Sequence, residues 1–146
     1  MKPMDSAFAI ICWKNKILLF LRDNIPTIPN PNCWQLPGGE AENRETPLRA
    51  LKRELIEEVS YIPESLKYLG KVKRRNGYTY LYSSFVASSE AVRFKHGGTE
   101  GQMINFFTLG QMEKLKLPPK LKKRLVSQRD SLEKAFKEKS FEGFKL

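Results

Sequence analysis

A chain of 146 residues is long enough to bury one substantial core and too short for two ordinary domains, so residues 1–146 read as a single domain. Its 40% hydrophobic and 29% charged content is that of a soluble globular protein, and no apolar stretch approaches the ~20 residues of a membrane span. The formal charge of +10 favours polyanionic partners such as nucleotides or RNA, without saying which.

Met1-Lys2-Pro3-Met4-Asp5 leads into a strand pattern with no apolar h-region, which makes a cytoplasmic address the expectation. Residues 6–13 and 16–22, rich in Ile, Leu and Phe and joined by Lys14-Asn15, read as a β-hairpin. A loop with Pro26, Pro29 and Pro31 follows, then a short strand at Trp34-Gln35-Leu36 running into a Pro37-Gly38-Gly39-Glu40 turn. Cys12 lies in a strand-like run and Cys33 beside Trp34, with no paired metal spacing. Both therefore read as reduced structural thiols, and a zinc site is not expected.

Thr46-Pro47 marks a helix start, Thr as N-cap and Pro at the first helical position, where its missing N–H costs nothing. At about 100° per residue, Leu48, Leu51, Leu55 and Val59 form an apolar stripe, while Glu54, Glu57 and Glu58 share a separate arc of roughly 100°. Like charges one turn apart repel by a few tenths of a kcal/mol. A hard cation removes that cost: Mg²⁺ or Mn²⁺ takes carboxylate oxygens and bridges them to substrate phosphates. A solvated acidic face, partly offset by Arg49, Lys52 and Arg53, fits the helix chemistry as well.

Spacing separates these readings. Gly39, five residues, Glu45, seven residues, Arg53-Glu54-Leu55, one residue, then Glu57-Glu58 is the signature of the Nudix box. Seven fixed positions match by chance below about 10⁻⁷ per starting position. The chain thus resembles the Nudix hydrolases, which implies a Nudix-type α/β/α sandwich with a mixed β-sheet. The resemblance further implies that Glu54, Glu57 and Glu58 bind the divalent metal, that Arg53 orients glutamates by salt bridging, and that Glu45 is one of its partners. The Gly38-Gly39 turn matches the loop where backbone approaches metal and substrate, making Gly38 a candidate contributor to the metal site and Gly39 to the substrate site. One departure lies at the helix C-terminus, where Ser60 replaces the family glycine; serine pays more than glycine for a left-handed cap, but no ligand is removed.

Residues 66–74, 78–87 and 103–108 read as further strands, the middle one carrying Tyr78, Tyr80 and Tyr82 at period two. Three tyrosines on one face fit either a stacked base or a half-buried sheet face. Trp34, Tyr80 and the proline-rich loop are candidate borders of a base pocket. Lys71, Lys73, Arg74 and Arg75 form a basic cluster near the sheet.

The polar loop 95–102 resembles the segment of MutT-like Nudix enzymes in which Glu-Gly-Gln precedes a strand and supplies a further acid. By that resemblance Glu100 is a candidate metal ligand or general base, with Glu57 the alternative base. His96, the only histidine, reads as a surface residue without a partner. Pro118-Pro119 then precedes a last helix, residues 120–139, whose Leu121, Leu125, Leu132 and Phe136 form a packing stripe. From residue 111 onward eleven Lys/Arg face five acids, so six of the ten net charges lie there. The last helix offers few aromatic groups to interleave with them, which favours a solvated face over a nucleic-acid track.

The implied activity is Mg²⁺-dependent cleavage of a phosphoanhydride in a nucleoside diphosphate derivative, first a (deoxy)nucleoside triphosphate. RNA 5′-end or dinucleoside-polyphosphate hydrolysis and a non-catalytic nucleotide-sensing or RNA-binding module are the alternatives. In some MutT-like enzymes a base-reading asparagine follows prolines where Lys120 stands here, so the resemblance does not carry an oxidised-guanine specificity. Oligomeric state is open.

Overall fold

Strand β1 (Ser6–Trp13) alternates two inward sets. Ala7, Ala9 and Ile11 join one buried cluster, and Ile10 and Cys12 join the other. A strand buried on both faces needs cover on both sides. The computed structural model describes residues 4–98 and 100–146, so Met1, Lys2 and Pro3 ahead of the first strand, and Thr99 of the polar loop, lie outside the described residues.

The remaining strands are β2 (Lys16–Leu21), β3 (Trp34–Gln35), β4 (Gly38–Glu40), β5 (Lys67–Arg74), β6 (Gly77–Phe85) and β7 (Met103–Thr108). They form one sheet along β3-β2-β1-β6-β5, with β4 pairing β1 and β7 pairing β2. Parallel pairing of β1 with β6, among antiparallel neighbours, makes the sheet mixed. Its two faces carry α1 (Pro47–Val59) on one side and α4 (Pro119–Ser127) with α5 (Arg129–Glu138) on the other. The architecture is the expected α/β/α sandwich.

The hairpin of β1 and β2 is short-lived: only Cys12 with Ile17 and Trp13 with Lys16 pair before the strands part. Since β6 occupies the other edge of β1 and β7 the other edge of β2, β4 and β3 enter the gap between them. Here the structure corrects the sequence reading. Gly38–Glu40 is a strand registered on Ser6, Ala7 and Phe8, where a turn was expected. The vacated edge of β1 offers backbone partners, and paired glycines can take them with little steric cost.

Three other differences are local. The expected last helix is two helices meeting at Gln128 (φ −114°, ψ 21°), a break that neither Gly nor Pro marks. Gln128 bridges it with side-chain bonds from Arg124 and to the carbonyl of Lys145. Helices α2 (Ser88–Ala91) and α3 (Leu109–Met112) are single turns too short for periodicity to reveal. The α3 turn nonetheless follows from a capping box, Thr108 Oγ1 accepting from Gln111 N–H at 3.1 Å.

Candidate active site

Helix α1 starts where its sequence says it should, Thr46 Oγ1 accepting from the Arg49 N–H at 3.2 Å. Ala50, Leu51, Leu55 and Val59 are fully buried, the last three clustered with Ala7, Ala9 and Ile11 of β1 among others. That anchoring turns the arc of Glu54 and Glu58 toward β4. Glu58 is only 4% exposed, and its Oε1 accepts from the Gly38 N–H at 2.8 Å. Gly38 has φ +141°, and a Cβ there would stand 2.1 Å from the Ala7 carbonyl oxygen. Gly39 lies beneath Glu54, where a Cβ would meet Glu54 Cδ at 2.9 Å. The Gly-Gly pair thus lets β1 and α1 approach from opposite sides. The contribution seen for Gly38 is an N–H that orients Glu58.

The polar loop is stitched onto the end of the same helix. Lys95 N–H donates to the Val59 carbonyl at 2.9 Å and Gly97 N–H to that of Glu58 at 3.1 Å. A Cβ on Gly97 would fall 1.7 Å from the Glu57 carbonyl oxygen, so nothing larger fits this seam. His96, expected to lack a partner, instead spans the loop: Nε2 lies 2.9 Å from the carbonyl of Glu100 and 3.0 Å from that of Gly101. Carbonyls only accept, so Nε2 carries the proton. Gln102 closes the other end, its N–H donating to the Leu21 carbonyl and its Nε2 to the Arg22 carbonyl and Asn32 Oδ1.

These ties bring Glu100 to the helix. Glu54, Glu58 and Glu100 each present a carboxylate oxygen within 4.8 Å of the others. Burial, aided by the charges of Glu54 and Glu100, pushes the Glu58 carboxyl up to about 9, against the Gly38 N–H and Arg22. Burial likewise raises Glu54, opposed by Arg53. Arg22 and His96 are the site-adjacent groups that pattern reading missed. Their signal was position alone, flanking the Pro-rich loop and the Glu-Gly-Gln segment.

Arg53 holds the outer edge. Its Nε and Nη2 donate to the two oxygens of Glu45 at 2.9 and 3.0 Å, its Nη1 to Glu54 Oε1 at 2.7 Å, and its Nη2 also to the Glu40 carbonyl at 3.2 Å. The bidentate hydrogen bonds from Arg53 hold the Glu45 carboxyl down to about 2, and the same contacts raise the guanidinium further. Glu57 lies on this side, 3.6 Å from Arg53 Nη1 and more exposed, outside the group of three. Trp34 and Tyr80 are not brought together. Trp34 packs edge-on to Phe107 in the cluster beneath α4 and α5, whereas Tyr80 packs on the α1 side.

Three hard carboxylate donors, one of them the buried Glu58, form a donor set suited to Mg²⁺ or Mn²⁺. A family model for the NUDIX domain matches residues 2–128. The chain belongs to that family. It is 49% identical over 43 residues to an RNA pyrophosphohydrolase of Halorhodospira halophila (strain DSM 244 / SL1), a match spanning 30% of this chain and 24% of that relative's length. Among solved structures it superposes with TM-score 0.68 on the MutT NUDIX hydrolase of Burkholderia pseudomallei, at 23% identity over 86% of this chain and 98% of that one. The NUDIX domain of Shewanella oneidensis NrtR, solved with ADP ribose, gives TM-score 0.66 at 18% identity, covering 88% and 89% of the two chains. No helix among the described residues is long and apolar enough to cross a membrane.

Proposed function

We propose that the chain hydrolyses a phosphoanhydride bond of a nucleoside diphosphate derivative, with a (deoxy)nucleoside triphosphate as the first substrate class. The observation that carries this is the convergence of Glu54, Glu58 and Glu100 beside an arginine clamp, with Glu58 held by the Gly38 N–H. Glu54, Glu58 and Glu100 would hold a divalent cation, which when bound neutralises phosphate charge and acidifies water. Glu58, whose carboxyl burial pushes up, must give up its proton to do so, and Arg53 keeps Glu54 in place beside it. Between the two candidate bases, Glu100 sits on a loop and can meet a water only where His96 and Gly97 hold that loop against α1. Glu57 has room at the Arg53 edge to take the same role.

A second reading, hydrolysis at an RNA 5′ end, is favoured by the local likeness to an RNA pyrophosphohydrolase. The test is a panel of nucleoside triphosphates, dinucleoside polyphosphates, ADP-ribose and a 5′-triphosphorylated oligonucleotide, each with Mg²⁺, scored by chromatographic separation of the nucleotide products together with phosphate and pyrophosphate release. Turnover of a free triphosphate above the others supports the first reading. Preference for the oligonucleotide replaces it with the second, and no turnover of any member with either Mg²⁺ or Mn²⁺ sinks both.

A further inference from the structure

Strands β5 and β6 carry a group of side chains that the acidic site does not use. Lys71 pairs with Tyr80, Lys73 with Tyr78, and Tyr68 with Tyr82, so each pair shares a face. Simple alternation would put Tyr68 on the face opposite Lys71 and Lys73. The register shift between Tyr68 and Gly70 inserts one residue and returns Tyr68 to their side. The result is a run of four tyrosines: Tyr68 lies 5.5 Å from Tyr82 and 6.3 Å from Tyr80, and Tyr78 lies 6.5 Å from Tyr80. Lysines sit among them, Lys71 Nζ 4.3 Å and Lys73 Nζ 4.8 Å from the Tyr78 ring.

An edge strand needs charge to avoid pairing with other chains, and lysine alone supplies that. It does not need aromatic rings, and Tyr68 is 50% exposed. Residues 67–85 hold five Lys/Arg and no Asp or Glu, and of the five only Arg74 has an acidic partner among the described residues, Glu40. Interleaved rings and cations along one face are what a stacked, sugar-phosphate-linked ligand requires.

We infer that this face of β5 and β6 binds a single-stranded oligonucleotide, with bases on Tyr68 and Tyr78 and phosphates on Lys71, Lys73 and Arg75. The ligand class follows from the combination. A free phosphate has no use for rings, and duplex nucleic acid keeps its bases stacked on one another. The patch shares its face of the sheet with α1, on the flank away from Glu54. Arg74 joins the two regions, 3.8 Å from Glu40 Oε1, while the Glu40 carbonyl accepts from Arg53.

The experiment is fluorescence anisotropy of the full chain with a labelled 12-nucleotide RNA bearing a 5′-hydroxyl, which offers no phosphoanhydride and so separates binding from turnover. Tyr68→Ala should weaken binding about fivefold or more, while Tyr68→Phe, which keeps the ring, stays within about twofold. The double change Lys71→Gln/Lys73→Gln should lower the slope of log affinity against log salt by about 1.4. Mononucleotide turnover should not change in any of these variants, and it reports that the fold is intact. Duplex RNA binding as tightly as the single strand overturns the inference, as does no binding at low salt. A salt slope flattened by Lys122→Gln/Lys123→Gln/Arg124→Gln and untouched by the hairpin change also overturns it, and that reading does not depend on how Tyr68→Ala folds.

Discussion

Helix α1 and the pair α4–α5 are both amphipathic, and both bury an apolar stripe on the same sheet from opposite sides. They differ in where the charged face goes. On α1 it meets protein: Glu58 is buried on Gly38, Glu54 is half-buried over Gly39, and Arg53 is held by four oxygens. On α4–α5 it meets solvent, Lys122, Lys123, Lys134 and Lys137 all being exposed. Solvated charges are screened and worth little, whereas clustered buried ones are held at a cost that only a ligand relieves. Charge content alone would have ranked the basic helices first, and the contacts reverse that order.

The sharpest way to break this comparison is Glu58→Gln. The amide still accepts from Gly38 N–H but gives no anionic ligand, so turnover should fall at least ~100-fold, the scale of lost metal-assisted charge stabilisation. The metal-free fold should survive, as far-ultraviolet circular dichroism would show. Near wild-type rate at limiting Mg²⁺ would return α1 to the class of solvated faces.

Arg53→Lys tests the clamp next. One ammonium cannot reproduce the bidentate grip on Glu45 together with the bond to Glu54, so losing one charge-assisted bond should cost about tenfold in turnover despite equal charge. Unchanged rate and metal affinity would make Arg53 an ordinary surface cation.

Proton linkage gives a third measure. Glu58 titrates from an ordinary value of 4.5 in the unfolded chain to about 9 in the folded one. Between those values the folded state binds the extra proton, so metal-free stability is highest below the lower value and falls as pH rises toward 9. Urea midpoints between pH 5 and 9 should show that decline, flattened in Glu58→Gln and by saturating Mg²⁺, whose binding releases protons. A flat wild-type profile would mean that Glu58 is already ionised without metal.

The smallest effects belong outside the acidic arc. Lys122→Gln/Lys123→Gln/Arg124→Gln should leave mononucleotide turnover within about twofold, as expected of screened charges. Ser60 caps α1 in the left-handed region at φ +61°. Ser60→Gly should therefore stabilise the fold by about 0.5–1 kcal/mol in urea unfolding, with no gain in rate. A destabilised glycine variant would show that the serine makes a compensating contact.

Much of this was legible in residue order because it is local. Thr46-Pro47 set the start of α1, 3.6-residue periodicity separated its apolar stripe from its acids, and fixed spacing marked Arg53, Glu54, Glu57 and Glu58 as a unit. Apolar and alternating stretches placed six of the seven strands, the short β3 among them, and only β4, three residues long, was read as a turn. What the linear pattern did not decide was which acids meet. Glu100 joins Glu54 and Glu58 because a loop of glycines and His96 is bonded across the end of α1, and Glu57, inside the motif, is turned toward Arg53. Likewise Gly38 and Gly39 pair with β1 only because β2 diverges from it, and Tyr68 joins the other tyrosines only through a bulge. Helical arcs and strand faces follow from bond geometry repeated along the chain. Contacts between segments distant in sequence depend on where the sheet leaves an edge open, and that is settled only when every strand has found its partner.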